Sequence, residues 1–217
     1  MSAELIKQLR ERTGAGIVDC KKALGASNND IEAAIDWLRK SGLAKAAKKS
    51  GRAATEGAVF AYIHGGGRIG VLVEINCETD FAAGTEGFKG LCRDIALQIA
   101  AAGAEWVNVA DVPADAVARE RDVVVARTIA EGKPAAVAEK IAEGRMKSWY
   151  GEVCLLEQPF IKDDKKKVAD VVKEAIATIG ENIQVRRFTR YNLGEGLEKK
   201  TEDYAAEVAA AAAAAKG

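Results

Sequence analysis

The 217 residues include one histidine, three prolines and four cysteines, and only 6% are aromatic. Each scarcity excludes something. His64 is alone, and Cys20, Cys77, Cys92 and Cys154 lie far apart with no Cys-x-x-Cys pair, so no zinc-ligand spacing exists. The cysteines are expected to be reduced thiols, not a disulfide framework. So few prolines beside 48% hydrophobic residues argue against a disordered or linker-dominated chain. Acidic and basic residues balance at 32 each, which removes the cationic excess that general binding to nucleic-acid phosphates requires. No stretch approaches the roughly 20 apolar residues that span a bilayer. Glu4, Lys7, Arg10, Glu11 and Arg12 break any apolar run near the start, so no secretory leader is expected and the expected location is cytoplasmic.

What is present reads as an α+β protein. Leu5, Ile6 and Leu9 recur at helical spacing before a stop at Thr13-Gly14. A second helix runs from about Ile17 to Leu24. A third follows the capping residues Asn28-Asn29-Asp30, carries Ile31, Ala34, Ile35 and Leu38 on one face, and is expected to end at Ser41-Gly42. Residues 1–43 therefore read as a three-helix module. The Lys- and Ala-rich stretch 44–56 reads as a solvated helical linker.

The pattern changes at Gly57. Val59–Ile63 and Ile69–Ile75 are β-prone runs joined by His64-Gly65-Gly66-Gly67-Arg68, which predicts a β-hairpin. The glycines lack the Gly-Lys-Ser/Thr ending of a phosphate-binding loop and join strand to strand. A helix over about 86–102 follows, with Phe88, Leu91, Cys92, Ile95 and Ile99 facing the sheet. Helices over about 115–129 and 134–147, joined at Gly132-Lys133, predict a projecting helical hairpin within an insertion at about 107–150. An amphipathic helix with Val168, Val172, Ile176 and Ile179 leads to a strand over 182–193. The core then spans 57–196. Residues 197–217 form a C-terminal module whose alanine-rich helix is expected over Thr201–Lys216.

Nothing here supplies the parts of an enzyme. The lone histidine lies in a glycine turn, and Glu78 and Asp80 share an alternating spacing too common to indicate catalysis. Phe81, directly after Glu78-Thr79-Asp80 at a strand-to-helix junction, is expected to be buried on general grounds, as aromatic side chains are.

Four blocks reverse that expectation. Leu9-Arg10-Glu11-Arg12-Thr13-Gly14-Ala15-Gly16 with Asp19-Cys20-Lys21-Lys22-Ala23-Leu24 resembles the N-terminal module of the bacterial translation elongation factor Ts family. Asn76-Cys77-Glu78-Thr79-Asp80-Phe81, Glu143-Gly144-Arg145-Met146, and Gly194-Glu195-Gly196 resemble the same family, in order. The resemblance implies a ubiquitin-associated-like module and a guanine-nucleotide exchange factor for elongation factor Tu, with no cofactor, no metal and no covalent chemistry of its own. Arg10, Ile17 and Val18 match the module's contacting positions. Thr79, Asp80, Phe81 and Ala82 match the segment that enters the GTPase near the phosphates and dislodges Mg²⁺; Ala82 departs from a family pattern in which a bulkier aliphatic often follows the Phe. Longer family members carry two core halves, so this single half-core implies a homodimer. The competing class is an adaptor or RNA-binding protein using Lys45, Lys48, Lys49, Arg52 and Lys165-Lys166-Lys167, which otherwise read as solvated helix faces. A third class is a thiol-based enzyme.

Overall fold

The computed structural model describes residues 2–197, so the helix expected over Thr201–Lys216 lies outside the described residues. The N-terminal unit has helices α1 (Ala3–Thr13), α2 (Ile17–Ala26) and α3 (Ile31–Lys49). The Ser2 hydroxyl accepts the Leu5 N–H and the Asp30 carboxylate accepts the Ala33 N–H, so α1 and α3 start on side-chain caps. Leu9, Cys20, Ala23, Leu24 and Ala34 are fully buried between the three helices, with Leu5, Ile6, Ile31, Ile35, Trp37 and Leu38 packed around them.

The third helix does not stop at Ser41-Gly42. α3 continues to Lys49, and the stretch read as a solvated linker buries Ala46, which is 2% exposed and belongs to the main core. The cause is a partner helix, α8 (Val168–Ile179), against which α3 lies. A Cβ on Gly42 would stand 2.9 Å from the Ala177 Cβ, so glycine is there to admit the methyl of Ala177. Helix propensity at one residue, about 1 kcal/mol, is outweighed by this packing.

The main layer is an antiparallel sheet in the order β1 (Glu56–His64), β2 (Ile69–Cys77), β5 (Ile183–Asn192). The hairpin turn places Gly65, Gly66 and Gly67 at positive φ, as the run of glycines predicts. One face carries Val71, Val73, Ile75, Cys77, Ile183 and Val185 into the core. There they meet Phe88, Leu91, Cys92, Ile95 and Ile99 of α5 (Glu86–Ala102) and Val168, Val172 and Ile176 of α8. The opposite sheet face leaves Val59, Ile63, Leu72 and Tyr191 exposed.

The helical hairpin is α6 (Ala114–Ala130) and α7 (Ala135–Val153), longer at its returning end than its periodicity predicts. Val124, Thr128, Ala138, Ala142 and Met146 are buried in it, and ion pairs Arg121–Glu139 (2.8 Å) and Arg145–Glu131 (3.1 Å) cross it. A small second sheet pairs β3 (Pro159–Phe160) with β4 (Asp163–Lys167). Lys165-Lys166-Lys167 thus lies on a strand, correcting the helix face expected there. Lys166 pairs with Glu174 at 2.9 Å and Lys167 with Glu157 at 2.6 Å. Between α5 and the start of the second sheet sits a buried amide pair in which the Gln98 Nε2 donates to the Gln158 Oε1 at 3.0 Å and to the Pro159 carbonyl at 3.2 Å. No helix among the described residues is long and apolar enough to cross a membrane.

Gly42→Leu is expected to lower stability by about 1–3 kcal/mol in urea unfolding, through overpacking against α8. Gly42→Ala is expected to show none of the gain, about 1 kcal/mol, that this exchange brings in an open helix.

Candidate functional site

The strand β2 ends at Cys77, paired with Ile183 at the start of β5. Beyond that pair the chain must turn into α5, and it does so through a single helical turn, α4 (Asp80–Ala83). Thr79 caps α4: its backbone is extended (φ −133°, ψ 156°) and its hydroxyl oxygen accepts the Ala82 N–H at 3.2 Å. Thr85 then caps α5, its hydroxyl donating to the Ala82 carbonyl at 2.7 Å while its oxygen accepts the Phe88 N–H at 3.2 Å. Two threonine caps in succession define the knuckle.

A turn of four residues has few inward positions. Ala82, 5% exposed, fills one and belongs to the core; Phe88 at the next turn is fully buried. Phe81 is left on the outside at 85% exposure, with Asp80 exposed beside it. The burial expected on general grounds is therefore overturned, and the ring stands outward as the resemblance implies. Ala82, which the resemblance matches to a contacting position, turns its side chain into this chain's own interior.

Across from the knuckle, α8 ends at Gly180, whose φ of 92° reverses the chain into Glu181-Asn182. Here two carboxylates cross. The Glu181 Oε2 accepts the N–H groups of Glu78 (3.1 Å) and Thr79 (3.0 Å), and its Oε1 accepts the Thr79 hydroxyl at 2.6 Å. In return the Glu78 Oε1 accepts the Asn182 N–H at 2.6 Å. The buried Asn182 amide donates to the Arg52 carbonyl at 2.7 Å, and the Lys49 ammonium donates to the Gly180 carbonyl. Glu78 also lies 3.4 Å from the Arg52 guanidinium. The Asn182 N–H, and then Arg52, hold the Glu78 carboxyl below its ordinary 4.5. So Glu78 is a structural acceptor and not half of a catalytic pair with Asp80. Glu181 and Asn182 carry no signal in the sequence, because their partners lie 102 to 104 residues away.

The other candidates sit on the N-terminal unit. Arg10 is exposed in the last turn of α1, and Ile17 and Val18, 50% and 64% exposed, open α2. The structure gathers these three at the α1–α2 corner and gathers Thr79 to Ala82 at the β2–α5 junction. Neither set lines the groove of about 350 Å³ between α3 and α8, where Lys45–Asp19 (2.6 Å) and Lys166–Glu174 close as ion pairs. Arg10, Ile17, Val18, Asp80 and Phe81 are exposed, which suits contact with another macromolecule more than capture of a small molecule.

The thiols do not suit nucleophilic chemistry. All four cysteines are buried, and burial pushes the Cys92 and Cys154 thiols up to about 11, away from the reactive thiolate. His64 is exposed, with its Nδ1 3.0 Å from the Tyr62 hydroxyl.

Comparison with known proteins bears on this arrangement. The family description "Elongation factor TS" fits residues 40–195. Over 211 residues the chain is 60% identical to elongation factor Ts of Carboxydothermus hydrogenoformans, covering 97% of each. It is 59% identical to elongation factor Ts of Desulforamulus reducens, again over 97% of each chain. It is 58% identical to that of Anaeromyxobacter sp. strain K, over 98% of this chain and 97% of the other.

A carboxyl held below its ordinary value contributes stability that is complete above pH 4.5 and lost as pH falls through the lower folded value. Glu78→Gln is expected to flatten that part of the acid dependence of urea midpoints, followed from neutral pH downward. Glu74, held down to about 2 by Arg186 and Arg187, contributes with the same sign in both proteins and cancels.

Proposed function

We propose, for a chain that belongs to the elongation factor Ts family and is a translation elongation factor, that its activity is guanine-nucleotide exchange on elongation factor Tu. The observation that carries this reading is Phe81, an aromatic ring held out at 85% exposure on a doubly capped turn. A large apolar group is stabilised by burial, at about 25 cal/mol per Å². One locked on the outside has its burial reserved for a partner.

On this reading Arg10, Ile17 and Val18 dock on the nucleotide-binding domain of the GTPase, and the Thr79–Ala82 knuckle enters near the bound phosphates. The Phe81 ring inserts between packed helices, which transmit the displacement because interiors are dense. Asp80 accepts hydrogen bonds from partner backbone amides and sets the angle of entry. Ala82 stays in its own core as the anchor. Dislodging Mg²⁺ leaves the nucleotide phosphates repelling one another, and GDP leaves. No covalent step is needed. The factor binds the nucleotide-free partner more tightly than the GDP-bound one, and reciprocity weakens GDP by the same factor. A ten-thousandfold shift corresponds to about 5.5 kcal/mol of differential affinity. The factor itself takes no nucleotide, metal or cofactor, and it acts in the cytoplasm.

A homodimer completes the reading. The three-stranded sheet presents Val59, Ile63, Leu72 and Tyr191 outward on the face away from α5 and α8. A second copy, related by a two-fold axis, matches this face with its own. The adaptor or RNA-binding alternative draws less support, because Lys45, Lys166 and Lys167 are held in ion pairs within the chain.

Phe81→Ala is expected to slow stopped-flow release of labelled GDP from elongation factor Tu by about thirtyfold, as loss of an aromatic hot spot does. Its unfolding free energy is expected to stay within about 0.5 kcal/mol of the parent, because the ring is exposed. Unchanged release would refute the wedge. By light scattering at micromolar concentration, the expected mass is twice the 23.0 kDa of one chain, and Leu72→Glu is expected to return it to one.

A further inference from the structure

The α4 turn cannot hold itself in place. Four residues lie far below the roughly 12 to 15 that an isolated helix needs, because nucleation fixes several dihedrals for one hydrogen bond. Its starting cap is the Thr79 hydroxyl, and a hydroxyl has one proton to give. That proton goes to the Glu181 Oε1 at 2.6 Å, which leaves the oxygen's lone pairs to accept the Ala82 N–H at 3.2 Å. Glu181 thus fixes the orientation in which Thr79 can act as a cap. Its second oxygen takes the N–H groups of Glu78 and Thr79, which lie past the last β2–β5 pair. Three hydrogen bonds accepted by one carboxylate hold the two residues that set where α4 begins. Glu181 itself is set by the end of α8 and the start of β5.

We infer that Glu181 is a positioning residue for the Phe81 knuckle: it touches no partner atom and acts by orienting the Thr79 hydroxyl, on which the outward placement of the ring depends. The inference rests on the exchange reading for its functional consequence. Its structural consequence stands without that reading. Removal of Glu181 frees the knuckle while leaving the Thr85 cap, and with it α5, intact.

Two measurements separate these levels. In amide hydrogen exchange on the full chain, Glu181→Ala is expected to raise the Ala82 rate about tenfold, the effect of one lost hydrogen bond, and to leave Phe88 unchanged. Unaltered Ala82 protection would overturn the inference whatever the protein's activity. In GDP release from elongation factor Tu, Glu181→Ala is expected to lower the rate at saturating factor about tenfold, and Glu181→Gln, which keeps an acceptor oxygen, to restore part of it. In a Phe81→Ala background Glu181→Ala is expected to have no further effect, because its action passes through the ring. An equal effect in both backgrounds would make Glu181 merely structural and overturn the inference. If Phe81→Ala itself leaves release unchanged, the exchange reading fails, and the Ala82 amide alone decides the role of Glu181.

Discussion

The crossing of two carboxylates between residues 78–79 and 181–182 is the constraint on which the candidate site depends. The β2–β5 ladder ends at Cys77 and Ile183. Past that pair, the backbone donors of Glu78, Thr79 and Asn182 need acceptors that no strand supplies, and an unpaired buried donor costs about 1–3 kcal/mol. Side chains supply them reciprocally: Glu181 serves Glu78 and Thr79, and Glu78 serves Asn182. The Arg52–Glu78 ion pair is half-exposed on the arginine side and adds little by itself. The charge-assisted bonds to backbone N–H groups are the stronger part. Four chain segments meet here: the end of α3, the end of β2, the end of α8 and the start of β5.

Much of this fold is legible in the sequence, for physical reasons that also mark where legibility stops. The period-two run of Val71, Val73 and Ile75 and the period-3.6 run of Phe88, Leu91, Cys92, Ile95 and Ile99 each bury one face, so pattern and structure agree. The family was legible too, through blocks that lie in α1, α2, α7 and the β2–α4 junction. Phe81 was not legible from composition and pattern, because aromatic residues are generally buried and only the geometry of a four-residue turn leaves this one outside. Ser41-Gly42 looks like a helix stop because local rules see a glycine and do not see Ala177 facing it across α8. The three lysines at 165–167 carry no hydrophobic period, so their strand follows from pairing with Pro159 and Phe160, which propensity cannot foresee. Glu181 and Asn182 are polar residues between a helix and a strand, like those of any loop; their partners are visible only once the chain has folded.

The continuity of α3 changes how the two candidate contact sets relate. Had residues 44–56 been a solvated spacer, the α1–α2 corner and the Phe81 knuckle would sample many separations. Instead α3 runs unbroken from the three-helix unit into the main core, buries Ala46 there and is tied at its end to the turn that holds the knuckle. The small residues at the α3–α8 contact, Gly42 against Ala177, let the helices approach closely. A framework of this kind carries both sets at a set spacing.

Under the proposed exchange reading that spacing matters, because the factor would have to displace something its partner already holds. Ordering costs in association are borne when the complex forms, at about 0.5–1.5 kcal/mol for each side chain that must be immobilised. A knuckle whose backbone is already fixed by Thr79, Thr85 and Glu181 has met the backbone part of its ordering in its own folding. On the proposed reading, more of the contact energy of Phe81 then appears as affinity for the partner. A flexible ring making the same contacts would bear its own ordering cost on loaded and empty partner alike, so it would bind each more weakly and the same shift would need more factor. Exposure alone therefore does not make Phe81 a wedge. The proposed wedge requires exposure together with an anchored base, and the base belongs to residues a hundred positions away.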